Sequence, residues 1–308
     1  MKNLLLTISP HIHTPNTTRR IMLDVLIALC PAAIASVIIF GTDALLRILL
    51  STVACVLFEY LWNKIMKKEQ TISDLSAAVT GVLLAFNVPA GMPVWELLIG
   101  DFIAIVITKM LFGGLGCNFV NPALVGRVAL SVSFPGEMTS YVTSVAKVDI
   151  LSGATPLAKA AELSCDNFMT LFLGQHGGVL GETCALALLL GGVYLLVRKV
   201  IKPIIPLSFM GACLLFSWLF GADAPLLSLF AGGLMLGSIF MATDYVTSPI
   251  TDAGRLVFGI GCGFLTACFR CFASAAEGVS FAILLMNLLV PYINELFRTK
   301  PFGGVKVK

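Results

Sequence analysis

Between two long apolar blocks the chain carries Val148-Asp149-Ile150-Leu151-Ser152-Gly153-Ala154-Thr155-Pro156-Leu157. Thr155 offers a hydroxyl beside two residues, Gly153 and Ala154, that are too small to shield it, and Pro156 stiffens the turn that follows. Such an open hydroxyl can accept a transferred phosphoryl group. Taken alone, four common residues in a turn describe a solvated loop equally well.

Two further polar runs interrupt apolar sequence. In Gly113-Gly-Leu-Gly-Cys-Asn-Phe-Val-Asn-Pro-Ala123, Asn118 and Asn121 bring amide donors and acceptors to the start of a short apolar segment. Pro122 suits a first helical position, and a helix start directs free N–H groups at whatever lies there. In Thr243-Asp-Tyr-Val-Thr-Ser-Pro-Ile-Thr-Asp-Ala-Gly-Arg255, the side chains of Asp244 and Thr247 can hold a ligand edge or an ion, or satisfy the backbone of a broken helix. Ionisable residues inside apolar segments cost roughly 2.5–3.5 kcal/mol or more at a bilayer centre, which singles out Asp24, Asp101 and Arg127. Asp24 lies a turn from a segment end and within reach of water. Asp101 and Arg127 face inward, to pair with each other, line an ion path or meet a partner. Cys268-Phe-Arg-Cys271 lacks the further ligands of a four-cysteine centre, and His11 and His13 lack a third ligand, so no metal site is expected. Neither a Ser–His–Asp set nor paired carboxylates can be picked out, so side-chain catalysis is not expected.

These residues must be held by a membrane scaffold. Of 308 residues 58% are hydrophobic and only 12% charged, too few charges to cover a soluble surface, and a net charge of +3 gives no reason to expect nucleic acid. The expected fold is an all-α polytopic membrane protein of about ten segments. Full-length spans are expected near 21–40, 44–65, 94–112, 181–200, 204–220, 253–271 and 277–297, with short or interrupted ones near 74–88, 121–134 and 225–242. The first apolar run has the flanks of a retained anchor and not of a cleaved signal peptide. With the N-terminus inside, fifteen of the twenty Lys and Arg fall inside, Lys109 among them, and four outside. That places both termini in the cytoplasm and the loop 135–180 outside a bacterial cytoplasmic membrane. The chain then divides into an arm 1–20, a five-span repeat 21–134, the loop 135–180, a second five-span repeat 181–297 and a tail 298–308. An odd number of spans per half makes the two repeats inverted, with short helices at matching places.

Asp149-x-x-Ser152-Gly153-Ala154-Thr155 resembles a flavinylation motif at which a flavin transferase moves FMN from FAD to the final Thr, leaving a phosphoester-linked flavin. Ser9-Pro-His-Ile12 with the run 21–32, the run 113–127 and the run 243–259 are similar to signatures of the family that holds the D subunit of the Rnf complex and NqrB. The resemblance covers nearly the whole chain, in order. It implies covalent FMN on Thr155. It also implies a second, non-covalent flavin, riboflavin, walled by Asn118 and Asn121.

By the same resemblance the chain is an electron-transfer subunit of a membrane-bound, Na⁺- or H⁺-translocating ferredoxin:NAD⁺ oxidoreductase. Its partners are then the other Rnf-type subunits, including a second covalent-FMN subunit, together with the flavin transferase and membrane lipid. The alternatives are an NqrB-like subunit of a Na⁺-pumping NADH:quinone oxidoreductase and a stand-alone transporter for a small solute. The transporter shares broken helices and repeats but leaves the Ser-Gly-Ala-Thr loop unexplained.

Overall fold

The computed structural model describes residues 17–140, 172, 174, 178–182, 184–222, 225–230, 233–273 and 278–298. Asp149, Ser152, Gly153, Ala154 and Thr155 lie outside them, as do His11 and His13.

The described residues form a helical bundle. Helix α1 (Thr18–Phe40) starts at Thr17, whose hydroxyl accepts from Arg20 N, and stops at Gly41, where φ is +75°. There the chain turns straight into α2 (Thr42–Ile65). A 3₁₀ turn (Ile72–Asp74) leads into α3 (Ser76–Phe86), which is buried along nearly its whole length. Helix α4 (Val94–Phe102) runs on into a widened π-helical stretch (Ile103–Met110), so 94–110 is one rod. Then come α5 (Pro122–Ser133) and the short α6 (Pro135–Thr139). In the second half follow α7 (Ala185–Val197), α8 (Ile204–Leu219), α9 (Pro225–Phe230) and α10 (Leu234–Leu236), which widens into a π turn (Gly237–Met241). Helices α11 (Asp252–Phe272) and α12 (Gly278–Leu296) complete the described bundle.

Among the described residues, each apolar segment expected from the sequence is helical to within a few residues. Four helices, α1, α2, α11 and α12, are long and apolar enough to cross a membrane. The segments expected at full length near 181–200 and 204–220 are shorter: α7 has 13 residues and α8 has 16. At 1.5 Å per residue these reach about 20 and 24 Å, short of a hydrocarbon core of about 30 Å. On α1, Ala28, Leu29, Ala32, Ser36 and Phe40 face the core while Leu23, Ile27, Ile34 and Ile38 remain exposed. A helix apolar on its outer face as well belongs in lipid, and this is a membrane protein.

Small residues set the closest packing. Gly259 and Gly263, four apart on α11, meet α8: a Cβ on Gly263 would stand 2.6 Å from both Ala212 Cβ and Phe209 O. This is the small-xxx-small contact by which apolar helices associate where burial from water gives no drive. Gly263→Leu is expected to destabilise the protein by about 1–3 kcal/mol, the usual cost of overpacking, read as a lowered midpoint of thermal unfolding in detergent.

The bundle has two ends. The near end holds the start of α1, the end of α2, the starts of α3 and α5 and the end of α7. At the far end, Leu180 N donates to Val88 O (3.1 Å) and Gly181 N to Phe86 O (2.8 Å). There too Trp95 meets Phe134 edge-on at 5.3 Å between centroids. The described stretches that flank Thr155 in sequence, α6 and 178–182, therefore both belong to the far end.

Candidate cofactor cavity at the near end

An open-mouthed cavity of about 770 Å³, its mouth included, lies among the helix ends at the near end. Its apolar wall includes Met22, Val79, Leu83, Leu195 and Phe240, and its polar wall Ser76, Lys109, Asn118, Asn121, Thr243 and Asp244. The two polar runs, more than a hundred residues apart in sequence, thus share one space.

Each polar group is held by a broken helix. Asn121 caps α5: its Oδ1 accepts from Ala123 N (3.0 Å) and Leu124 N (3.4 Å), with Pro122 in the first turn as its sequence suggests. Its Nδ2 donates across to Met241 O at 3.2 Å, an acceptor at the end of the π turn. Asn118 Nδ2 donates to Val120 O (3.1 Å), and its Oδ1 takes no hydrogen bond among the described residues. Asp244 closes a local turn, accepting from Val246 N (3.5 Å) and from the Thr247 hydroxyl (3.1 Å). Thr247 is buried behind Asp244 and is absent from the cavity lining. With its amide oriented to satisfy both ends, Asn287 of α12 donates to Thr247 O (3.1 Å) and accepts from Asn121 N (3.2 Å). Asn87 at the end of α3 accepts from Arg127 NH1 (2.7 Å) and donates to Leu83 O (2.6 Å).

Several expectations are corrected. Arg127 and Asp101 do not pair: Arg127 reaches Asn87, while Asp101 meets Ser51 and Cys55. Asp24 does not simply reach water. It is buried and bonded to Arg198 NH2 (3.1 Å) and the Tyr194 hydroxyl (3.0 Å), which tie α1 to α7. That hydrogen bond, beyond the end of α7, holds the Arg198 guanidinium above its ordinary value. Lys109 is no loop charge; its side chain is 3% exposed and paired with Glu59, 1% exposed, at 2.7 Å. Cys268 and Cys271 lie in the last turns of α11, and among the described residues no three His, Cys, Asp or Glu gather as metal ligands. Local sequence pattern does not single out Asn87 or Asn287 as site residues. For Glu59 a signal does exist, in the polar or small residue at every fourth position of α2.

The NQR2, RnfD, RnfE family matches residues 5–303. The chain belongs to that family. The D subunit of the Na(+)-translocating ferredoxin:NAD(+) oxidoreductase complex of Acetobacterium woodii is 42% identical over 311 residues, covering 99% of this chain and 97% of the relative. The D subunit of the proton-translocating ferredoxin:NAD(+) oxidoreductase complex of Clostridium ljungdahlii is 39% identical over 313 residues, with 96% and 95% covered. The D subunit of an ion-translocating oxidoreductase complex of Escherichia coli is 37% identical over 344 residues, with 97% and 98% covered. These members of the family match the chain from end to end.

Asn118 and Asn121 can be separated by experiment. Asn121→Ala removes a helix cap and a cross-bundle hydrogen bond and is expected to cost about 1–2 kcal/mol. Asn118→Ala removes one local bond and is expected to change the unfolding midpoint little. Thermal unfolding of the two variants in the same detergent makes the comparison.

Proposed function

We propose that this chain is the flavin-carrying D subunit of a membrane-bound, ion-translocating ferredoxin:NAD⁺ oxidoreductase, with FMN esterified to Thr155. The end-to-end similarity to relatives named as that subunit carries the reading. Relatives of similar identity are named for Na⁺ and for protons, so the coupling ion is not assigned by likeness. The ten helical segments are read as ten spans in two inverted halves, with the near end cytoplasmic. A Thr155 loop that leaves from the far end then lies outside.

The near-end cavity fits a second flavin held without a covalent bond. A flat, largely apolar ring system with one hydrogen-bonding edge suits an apolar wall with a few converging polar groups. Asn118 Oδ1 and Lys109 would meet that edge, while Asn121 and Asp244 shape the wall through their own backbone bonds. Bound there, a flavin supplies one- and two-electron chemistry, and the protein's part is to position and tune it. Two flavin positions at opposite ends of the bundle suit a subunit that carries electrons across the membrane.

Mass measurement of the chain purified with its flavin transferase tests the reading. The expected result is an increment of one FMN on the peptide containing Thr155, plus free flavin released by denaturation. A chain without the increment, despite an active transferase, sinks the covalent assignment. Absence of released flavin sinks the cavity assignment.

A further inference from the structure

Away from the cavity's open mouth, α2 carries Ser51, Cys55, Glu59 and Asn63, all buried and spaced every fourth residue. They form one polar stripe on a helix face, opposite Asp101 and Lys109 of the rod 94–110. Toward the near end the stripe is bonded to its neighbours. Lys109 Nζ donates to Glu59 Oε2 (2.7 Å) and Ser76 Oγ (2.6 Å), the exposed Thr71 hydroxyl donates to Glu59 Oε1, and Asn63 Nδ2 donates to Thr71 Oγ1 (3.1 Å).

Deeper in the bundle the protons must be counted. Ser51 Oγ lies 2.6 Å from Asp101 Oδ1 and 2.9 Å from Gly81 O. The close approach exists because residue 81 is glycine; a Cβ there would stand 2.7 Å from Ser51 O. A serine hydroxyl has one hydrogen, and a backbone carbonyl can only accept. Both contacts are hydrogen bonds when Ser51 donates to Gly81 O and Asp101 donates to Ser51 Oγ, which makes Asp101 a carboxylic acid. Asp101 Oδ2 agrees with this. It is buried without a hydrogen-bond partner among the described residues, in a side chain that is 0% exposed. A neutral carbonyl oxygen bears that burial far more cheaply than half of a full negative charge.

The groups facing Asp101 do not supply a countercharge. Cys55 Sγ lies 3.3 Å from Oδ1 as a weak donor. Lys109, two turns along the same rod, is engaged by Glu59, one turn beyond Cys55 on α2. Arg127 on α5 reaches Asn87, and Glu96 lies more than a turn earlier on α4.

We propose that Asp101, Ser51 and Cys55 form a proton-binding site inside the membrane domain, with H⁺ as its ligand. With the proton bound, Asp101 is neutral and the Ser51 hydrogen rests on Gly81 O. On release the proton passes to water. The carboxylate left behind then receives the Ser51 hydrogen, which swings over from Gly81 O, and keeps the Cys55 thiol as a second donor. No electron moves, and the site stands whether or not flavin occupies the cavity.

Infrared spectroscopy of the purified complex, without turnover, tests the site. At neutral pH the parent is expected to show a C=O stretch of a protonated carboxyl that is absent from Asp101→Asn. Ser51→Ala, which keeps the acid but removes its hydrogen-bond acceptor, is expected to shift that band. Superimposable carboxyl regions for the parent and Asp101→Asn overturn the proposal. Should Asp101→Asn fail to assemble, Ser51→Ala decides alone, and an unshifted band overturns the proposal.

Discussion

Thr155→Val is expected to abolish the covalent flavin completely while leaving the non-covalent flavin in place. The exchange keeps the branched shape and volume of the side chain and removes only the oxygen. A phosphoester forms when that oxygen attacks the phosphorus of FAD that bears the FMN half, with AMP leaving and the hydroxyl proton passing to solvent or to the transferase. Valine offers no atom for the new bond. Thr155→Ser retains the oxygen and is expected to keep the label. Because the exchange keeps side-chain shape and volume, the Val variant is expected to unfold close to the parent's midpoint. The measurement is flavin fluorescence of the chain on a denaturing gel, after co-expression with the transferase, next to flavin released from the native protein. A fluorescent Val variant removes Thr155 as the attachment site. Loss of both flavins points instead to a coupling between the Thr155 segment and the cavity.

Apolar runs bounded by Pro, Gly and Asn have few ways other than a helix to satisfy their backbone in lipid, which is why the helices are legible in the sequence. Asn121-Pro122 is readable as a helix start for the same local reason, and it is one. What escapes is whatever depends on distant partners. Lys109 falls near the expected end of the span 94–112, where by local rules it reads as a charge reaching the inside face. It is instead buried in the π-helical stretch 103–110, and Glu59, fifty residues away, makes that burial tolerable. Asp101 and Arg127 are recognisable as inward-facing, but their partners, Ser51 and Asn87, are small uncharged residues with no signal of their own. The meeting of the two polar runs at one cavity is suggested by an inverted repeat and cannot be located by it. That meeting rests on bonds such as Asn121 to Met241 O, which joins the two halves of the chain.

The Lys109–Glu59 pair carries the largest expected effect on stability. Both side chains are almost wholly buried, at 3% and 1% exposure, with 2.7 Å between Nζ and Oε2. Such a pair adds little over a well-packed apolar substitute, because desolvating two charges offsets most of their attraction. Breaking it is another matter. Lys109→Met leaves Glu59 as a buried carboxylate with the Thr71 hydroxyl as its remaining donor, and removing one partner of a buried pair typically costs about 3–5 kcal/mol. Ser76 Oγ loses the donor it accepts from in the cavity wall and keeps its own bond to Asp74 Oδ1 (3.1 Å). The variant is therefore expected to lose thermal stability sharply and, on the proposed reading of the cavity, to release flavin more readily. Glu59→Gln in the Lys109→Met background removes the stranded charge and keeps an acceptor for Thr71, so the double variant is expected to be more stable than Lys109→Met alone. That ordering separates a charge effect from lost packing, since a packing defect at Lys109 would not be relieved by a change at Glu59. Unfolding midpoints of the two single variants, the double variant and the parent complete the cycle. A double variant no more stable than Lys109→Met shows that the pair is not the reason this lysine is tolerated inside the bundle.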